Sequence, residues 1–260
     1  MNKRLLNFSF RNIFKYPKLF QYPMESINNG PKHIAIQMDG NRRWAKNKGL
    51  SEWQGHDEGA KTLKKIIEAC QKKGVKVLTV YALSTENFQK RSKEELEYHF
   101  NLHKKYIKKE ILSSDNFVKH KVRFRVLGRK DLLPKDEQEL IKQAEEKTKD
   151  FSDYFFNVCI CYNGQDELVD ATKEIVKKGI KPEEINRETI KQHLYTKDLP
   201  PPDMMIKTGM NPEKRVSGFL LYDIAYTELF FTSTFWPDFS PEELDKLIEE
   251  YKTRQRRHGG

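Results

Sequence analysis

HIAIQMDGNRRW, residues 33–44, sets an apolar run directly against a cluster of polar and charged groups. His33 to Met38 is predicted as a strand: Ile34 and Ile36 are β-branched, no Gly or Pro interrupts, and Asp39-Gly40-Asn41 is a strong turn signal. Arg42 to Lys48 holds no breaker before Gly49, which predicts a tight turn and then the start of a helix. Such a junction suits an anion, because free backbone N–H groups, a Gly that permits close approach and the guanidinium groups of Arg42 and Arg43 converge there. Asp39 conflicts with an anion unless a divalent cation of the Mg²⁺ type bridges the two. A surface strand, turn and helix with a salt-bridged Asp39 fits the same residues.

The 260 residues suffice for one large α/β domain. We read that domain over residues 32–260, behind a basic extension over 1–31. Lys and Arg number 48 against 38 Asp and Glu, a formal charge of +10. Half of that excess sits in Lys3, Arg4, Arg11, Lys15 and Lys18, within an acid-free, aromatic stretch that resembles a presequence, an interfacial membrane segment or a plain disordered tail. Elsewhere Lys alternates with Glu and Asp as on solvated helix faces, which argues against a nucleic-acid partner. No run of about 18 apolar residues offers a membrane span. Cys70, Cys159 and Cys161 are too sparse for a disulfide framework and point to a reducing compartment, with the strand pair Cys159 and Cys161 read as buried thiols rather than metal ligands.

Downstream, helices and strands alternate. A helix with Asp57 and Glu58 in its first turn carries Leu63, Ile66, Ile67 and Cys70 on one stripe and stops at Gly74, with His56 just before it and GLSEWQGH read as a loop. VKVLTVYAL (75–83) is a strand buried on both faces, ending in the polar set STENF (84–88). Ser92 and Glu95 form a capping box for a long helix bearing Leu96, Phe100, Ile107 and Ile111, a face that fits core packing or the wall of an apolar tunnel. Strands follow at 121–128, 154–162 and 204–207, with helices opened by Pro134, after NGQDE and after Asn186. Ser217 is placed as the cap of a helix FLLYDIAYTE, and Glu228 at its end, before a sixth apolar run, needs a partner or a metal. Lys207, Lys214, Arg215 and Ser217 group as a second anion site. The pattern predicts a parallel or mostly parallel α/β sheet with right-handed crossovers. Neither GxGxxG nor GxxxxGK[ST] occurs.

HIAIQMDGNRRWA, Gly55-His56, VYALSTENF, IKTG with Arg215-Val216-Ser217, AYTELFF, FWPDF and RRHGG together resemble the cis-prenyltransferases, the family of undecaprenyl and dehydrodolichyl diphosphate synthases, over roughly residues 32–260. The resemblance implies one α/β domain, a mostly parallel six-stranded sheet ringed by helices around a hydrophobic tunnel, and a homodimer. The implied reaction condenses isopentenyl diphosphate with an allylic diphosphate such as farnesyl diphosphate, with Mg²⁺, towards a dolichol- or undecaprenol-type polyprenyl diphosphate. It implies Asp39 as the metal-holding catalytic carboxylate, and Gly40, Asn41, Arg42, Arg43, Trp44 and His56 around the allylic diphosphate. Ser84, Thr85, Glu86, Asn87 and Phe88 fall near the condensing carbons, where Asn87 is the residue usually linked to proton removal. An amide is a poor base, so a diphosphate oxygen relayed through Asn87 is chemically easier. Arg91 (or Lys90) matches a phosphate-binding Arg. Lys207, Arg215 and Ser217 match the isopentenyl diphosphate site, Glu228 the second metal-linked acid, and Arg257 and Gly259 a segment that reaches a partner subunit. The chain departs from the family at Glu52, where an Arg is usual, at Lys207, which replaces the Arg fork with a point charge, and in the longer segment MNPEK (210–214). The expected location is the cytoplasm, with attachment at the endoplasmic reticulum membrane, or an organellar address carried by the basic N-terminus, as alternatives. A noncatalytic subunit of a heteromeric enzyme is the rival reading, and such subunits typically lack the residues present here at Asp39, Asn41, Asn87 and Glu228.

Overall fold

The structure is a computed structural model that describes residues 30–210, 212 and 214–254. Residues 1–29 of the basic extension, and Arg257 and Gly259, lie outside that range. The expected opening holds: β1 (His33–Gln37) leads through Gly40 into α1 (Asn41–Asn47). The chain then alternates through α2 (Glu52–Lys72), β2 (Val77–Ser84), α3 (Thr85–Lys90), α4 (Lys93–Tyr106), α5 (Asn116–Lys119), β3 (Val122–Leu127), α6 (Lys135–Thr148), β4 (Tyr154–Tyr162), α7 (Gly164–Lys177) and α8 (Arg187–Lys191). β5 (Met204–Lys207), β6 (Glu228–Phe231) and α9 (Pro241–Thr253) complete it.

Among the described residues the six strands form one sheet in the order β3-β4-β2-β1-β5-β6, and every pairing is parallel. Parallel strands need both faces covered, and their alternation sorts the side chains accordingly. Ile34, Ile36, Leu78, Val80, Phe124, Phe156 and Ile160 face the larger core, with Ile66 of α2, Phe100 of α4, Ile141 of α6 and Ile248 of α9. Ala35, Val77, Cys159, Tyr162 and Met205 face the other way, onto Leu199, Phe219 and Leu220. The three cysteines are buried free thiols, as expected. At the outer strand β3, α6 supplies the missing partners: the N–H of Val126 donates to Glu145 (2.8 Å) and that of Phe124 to Thr148 Oγ1 (3.1 Å). Because all strands run one way, their carboxyl ends share one rim, where open α/β sheets place ligands.

Three local expectations change. GLSEWQGH is helical from Glu52, capped by Ser51 with Gln54, so His56 lies inside α2. Gly55 is a packing residue there, not a breaker: a Cβ would stand 2.2 Å from the Asn41 carbonyl, and at Gly59 it would stand 2.3 Å from Asn41 Oδ1. FLLYDIAYTE forms no α-helix; Ser217, Gly218 and Leu220 have φ of 46°, 73° and 48°, outside the right-handed helical region, and only a 3₁₀ turn follows at Asp223–Tyr226. Glu228 consequently begins a strand instead of ending a helix. Beyond Tyr106 the long helix continues as a π-helical stretch, Ile107–Leu112.

Candidate active site

A cavity of about 1150 Å³ opens at the rim and runs along the larger-core face of the sheet. Its mouth is polar: Asp39, Gly40, Asn41, Arg42, Arg43, Glu52, His56, Ser84, Asn87, Arg91, Lys207 and Ser217 all line it. Its interior is apolar, walled by Ile67, Ala82, Leu102, Ile107, Ile111, Val122, Phe124, Phe156, Val158 and Ile160.

Gly40 makes the mouth possible. It takes φ 106°, in the region that favours glycine, and a Cβ there would lie 2.5 Å from Phe235 Cδ1. The turn it makes is pinned to the neighbouring strand end: the Asp39 N–H donates to Thr208 Oγ1 (2.9 Å), and its carbonyl accepts the N–H of Trp236 (3.0 Å). Only the Asp39 carboxylate is left at the surface, 3.1 Å from Arg43 Nη2. Arg43 in turn lies over the Phe235 ring at 5.1 Å. One helical position earlier, Arg42 clasps Glu52 with both edges, Nε to Oε2 at 2.8 Å and Nη2 to Oε1 at 3.1 Å. The departure from the family pattern at Glu52 is thus fixed on α2, turned towards Arg42.

From the far side, β5 delivers Lys207, which is 3 % exposed, into the mouth. Its ammonium donates to the Arg215 carbonyl (2.9 Å) and to Ser217 Oγ (3.1 Å). Burial lowers its pKa, with the Asp39 carboxylate acting against that. Ser84 Oγ accepts the Asn87 N–H (3.1 Å) and caps α3, leaving the Asn87 amide exposed on the rim. His56 is held neutral, its pKa pushed down to about 4 by burial and by Arg91 and Arg42.

Other expected site residues lie elsewhere. Trp44 is buried beneath the Lys48 ammonium (4.2 Å to the ring) and does not line the cavity, because the face of α1 that carries it packs inward. Thr85 is buried, Phe88 packs towards Phe100 at 6.5 Å, and Glu86 accepts a hydrogen bond from Asn163 Nδ2. None of the three lines the cavity. Arg215 brings its carbonyl to the site while its side chain stays exposed outside the lining. Glu228 is not brought to Asp39. Its register through Met204 to Ile34 puts it at the amino ends of the strands, about 10 Å along the strand direction from the Gln37 end of β1 at ~3.3 Å per residue, with Asp39 farther still. There it pairs with Arg254 (2.8 Å), the partner that its position requires.

The structure adds residues that the pattern reading passed over. Gln37 is buried at the mouth, its amide nitrogen donating to the Val216 carbonyl (3.0 Å) and its oxygen without a partner. His99 and His103 of α4 line the cavity beside His56. His103 follows Leu96 and Phe100 on the apolar stripe and precedes Ile107, so an imidazole within that stripe was the available signal.

The arrangement can hold an anion at a cationic rim and an elongated apolar chain behind it. The prenyltransferase family model described as "Putative undecaprenyl diphosphate synthase" matches residues 37–259. A tritrans,polycis-undecaprenyl-diphosphate synthase (geranylgeranyl-diphosphate specific) of Thermococcus kodakarensis is 44% identical over 255 residues, 95% of each chain. An isoprenyl transferase of Fusobacterium nucleatum is 47% identical over 232 residues, 89% of this chain and 97% of that one. Among solved structures, lavandulyl diphosphate synthase from Lavandula x intermedia, in complex with dimethylallyl diphosphate, superposes with a TM-score of 0.82 at 32% identity, over 89% of this chain and 99% of that chain. The fold, the cavity and these relatives together make the chain a member of the undecaprenyl diphosphate synthase family, enzymes that transfer prenyl groups.

Proposed function

We propose that the protein is a chain-elongating cis-prenyltransferase that adds isopentenyl diphosphate units to an allylic diphosphate primer. The observation that carries this reading is the polarity step inside one cavity: Arg42, Arg43, Arg91 and Lys207 at the rim, Phe124, Phe156, Ile107 and Ile111 behind it. A diphosphate binds by charge and hydrogen bonds at the rim, and each buried CH₂ of the chain contributes about 0.8 kcal/mol in the interior. In each cycle the bond from the allylic carbon to a diphosphate oxygen breaks, a carbon–carbon bond to isopentenyl diphosphate forms, and one proton leaves. Two anion subsites fit the geometry. Arg42, Arg43, His56 and Arg91 surround one beside α1, and Lys207 with Ser217 marks the other beside β5.

No group of three or more His, Cys, Asp or Glu able to hold a metal occurs among the described residues. Mg²⁺ does not need one, since it commonly takes one or two carboxylates and completes its shell with substrate phosphates and water. Asp39, exposed at a cationic rim, fits that role, and the ion would offset charge on the departing diphosphate. Asn87 is placed to orient a proton acceptor on the rim rather than to serve as one. A homodimer along the outer strand β6, where Leu229 is 36 % exposed, belongs to the same reading.

Purified protein with labelled isopentenyl diphosphate, Mg²⁺ and dimethylallyl, geranyl, farnesyl or geranylgeranyl diphosphate tests this, with products sized by chromatography. Repeated addition of isoprene units to at least one primer is expected, farnesyl and geranylgeranyl diphosphate leading. Incorporation with none of them would overturn it and favour the noncatalytic subunit.

A further inference from the structure

The cations at the mouth are not equivalent. Arg42 is clasped by Glu52 and approached by Glu95 at 3.5 Å, and Arg43 meets Asp39. Each of these charges is matched locally by a carboxylate. Arg91 is held differently: its Nη1 donates to Nε2 of His99, and it forms no ion pair with the described residues, Glu95 and Glu52 acting on it only from beyond contact distance. A guanidinium only donates, so Nε2 of His99 must carry the lone pair and the ring must be neutral, with its proton on Nδ1. His99 is itself 4 % exposed on α4, and His56 lies across it in an edge-on contact at 4.3 Å. Burial, with His56 and Arg91 beside it, keeps the His99 pKa down at about 2, so the ring stays an acceptor throughout the working range. One turn deeper, His103 hydrogen-bonds the fully buried Glu137 (3.1 Å), fixing that face of α4 against α6.

A carboxylate at position 99 would orient the guanidinium as well, and would cancel its charge. An apolar side chain would leave the charge and lose the orientation. A neutral imidazole does neither. We propose, resting on the reading of the rim as a diphosphate site, that His99 is a positioning residue: it aims the Arg91 guanidinium at the cavity mouth without pairing its charge, which stays available to the diphosphate of the primer. His56 keeps the His99 ring in place, which gives the His56 imidazole a supporting role besides any contact it makes with substrate.

Calorimetric titration of inorganic pyrophosphate with Mg²⁺ into the wild type, His99→Leu, His99→Phe, His99→Gln, Arg91→Ala and the Arg91→Ala/His99→Leu pair tests the assignment. Two apolar variants are included because the site is buried; thermal melting selects one that folds as the wild type does. That variant is expected to bind pyrophosphate about tenfold more weakly, a loss on the scale of a charge-assisted hydrogen bond. His99→Gln, which retains an acceptor, is expected to recover most of the affinity, and the double variant to bind no more weakly than Arg91→Ala alone. Wild-type affinity in a folded apolar variant would overturn the proposal, as would losses that multiply in the double variant. Prenyl transfer is scored separately. Pyrophosphate affinity that depends on His99 in a protein inert with every primer would uphold the positioning role and overturn the reaction; prenyl transfer with an unchanged primer KM in the apolar variant would do the reverse.

Discussion

The two faces of the sheet solve opposite problems. On the face that carries Tyr162, polar groups are closed into a network: the Tyr162 hydroxyl donates to Glu167 (2.6 Å), the Thr196 N–H donates to Glu167 (3.3 Å), and its hydroxyl donates to Asp223 (2.6 Å), which Lys191 also grips at 2.7 Å. The larger-core face instead holds an open cavity, and at its mouth Gln37 and Asn41 each keep a buried oxygen without a partner; away from the network, the Tyr162 side leaves Asn157 Oδ1 and Arg125 Nη1 unpartnered as well. Buried polar groups are normally satisfied, and an orphaned one costs about 1–3 kcal/mol. The Glu167 network therefore holds its side of the sheet in shape, and the mouth of the cavity, where Gln37 and Asn41 are left unpartnered, spends part of that stability on a site.

The largest effect should come from the open face. Asp39→Ala is expected to reduce turnover at least a hundredfold, the scale of losing a group that stabilises developing charge, with the melting temperature little changed because the carboxylate is exposed. Steady-state assays at saturating Mg²⁺ check this, and retention of more than a tenth of wild-type activity would remove Asp39 from its role. Ala82→Phe comes next. Ala82 lines the cavity on β2, so the added ring should obstruct the interior and shift products to shorter chains, measured by chromatographic sizing, while the primer still binds.

The closed face predicts a pH effect on stability instead. Burial raises the Glu167 pKa from 4.5 to about 7. Below the unfolded value both states hold the proton and nothing is lost. As pH rises from 4.5 towards 7 the unfolded state ionises first, so folded stability falls, by up to about 3 kcal/mol. Glu167→Gln should flatten that part of the stability profile in denaturant titrations from pH 4 to 8; an unchanged slope would locate the buried proton elsewhere. The smallest effect belongs to Glu52. Its pair with Arg42 is about half exposed and contributes roughly 0–1 kcal/mol, so Glu52→Gln should barely move the melting temperature. By freeing Arg42 it should lower the primer KM a few-fold, and an unchanged KM would show that Arg42 does not meet the diphosphate.

Much of this contrast was legible in the residues. The sequence predicts β5 at Met204–Lys207, as observed, and Ser92 with Glu95 does cap α4. Strand, turn and cap signals are local, so a single sequence carries them. Misreadings arose where tertiary packing reversed a local signal. Gly55 looked like a loop boundary but lies within α2, where its missing Cβ admits the Asn41 carbonyl. The FLLYDIAYTE stretch has helical periodicity, yet left-handed residues at Ser217 and Leu220 break it. At the site, Asp39, Arg42, Arg43 and Lys207 were found because charge beside a strand end is a visible signal. His99 was missed because its role depends on Arg91, eight residues away on the other side of a helix break, and no spacing rule connects them.

The most direct measurement is a crystal structure with a non-cleavable analogue of farnesyl or geranylgeranyl diphosphate and Mg²⁺. The account predicts the diphosphate within hydrogen-bond distance of Arg91 and Arg43, next to Asp39, and the isoprenoid tail lying between Phe156 and Ile107. A headgroup bound away from these residues, or a tail left in solvent with the cavity unfilled, would contradict it.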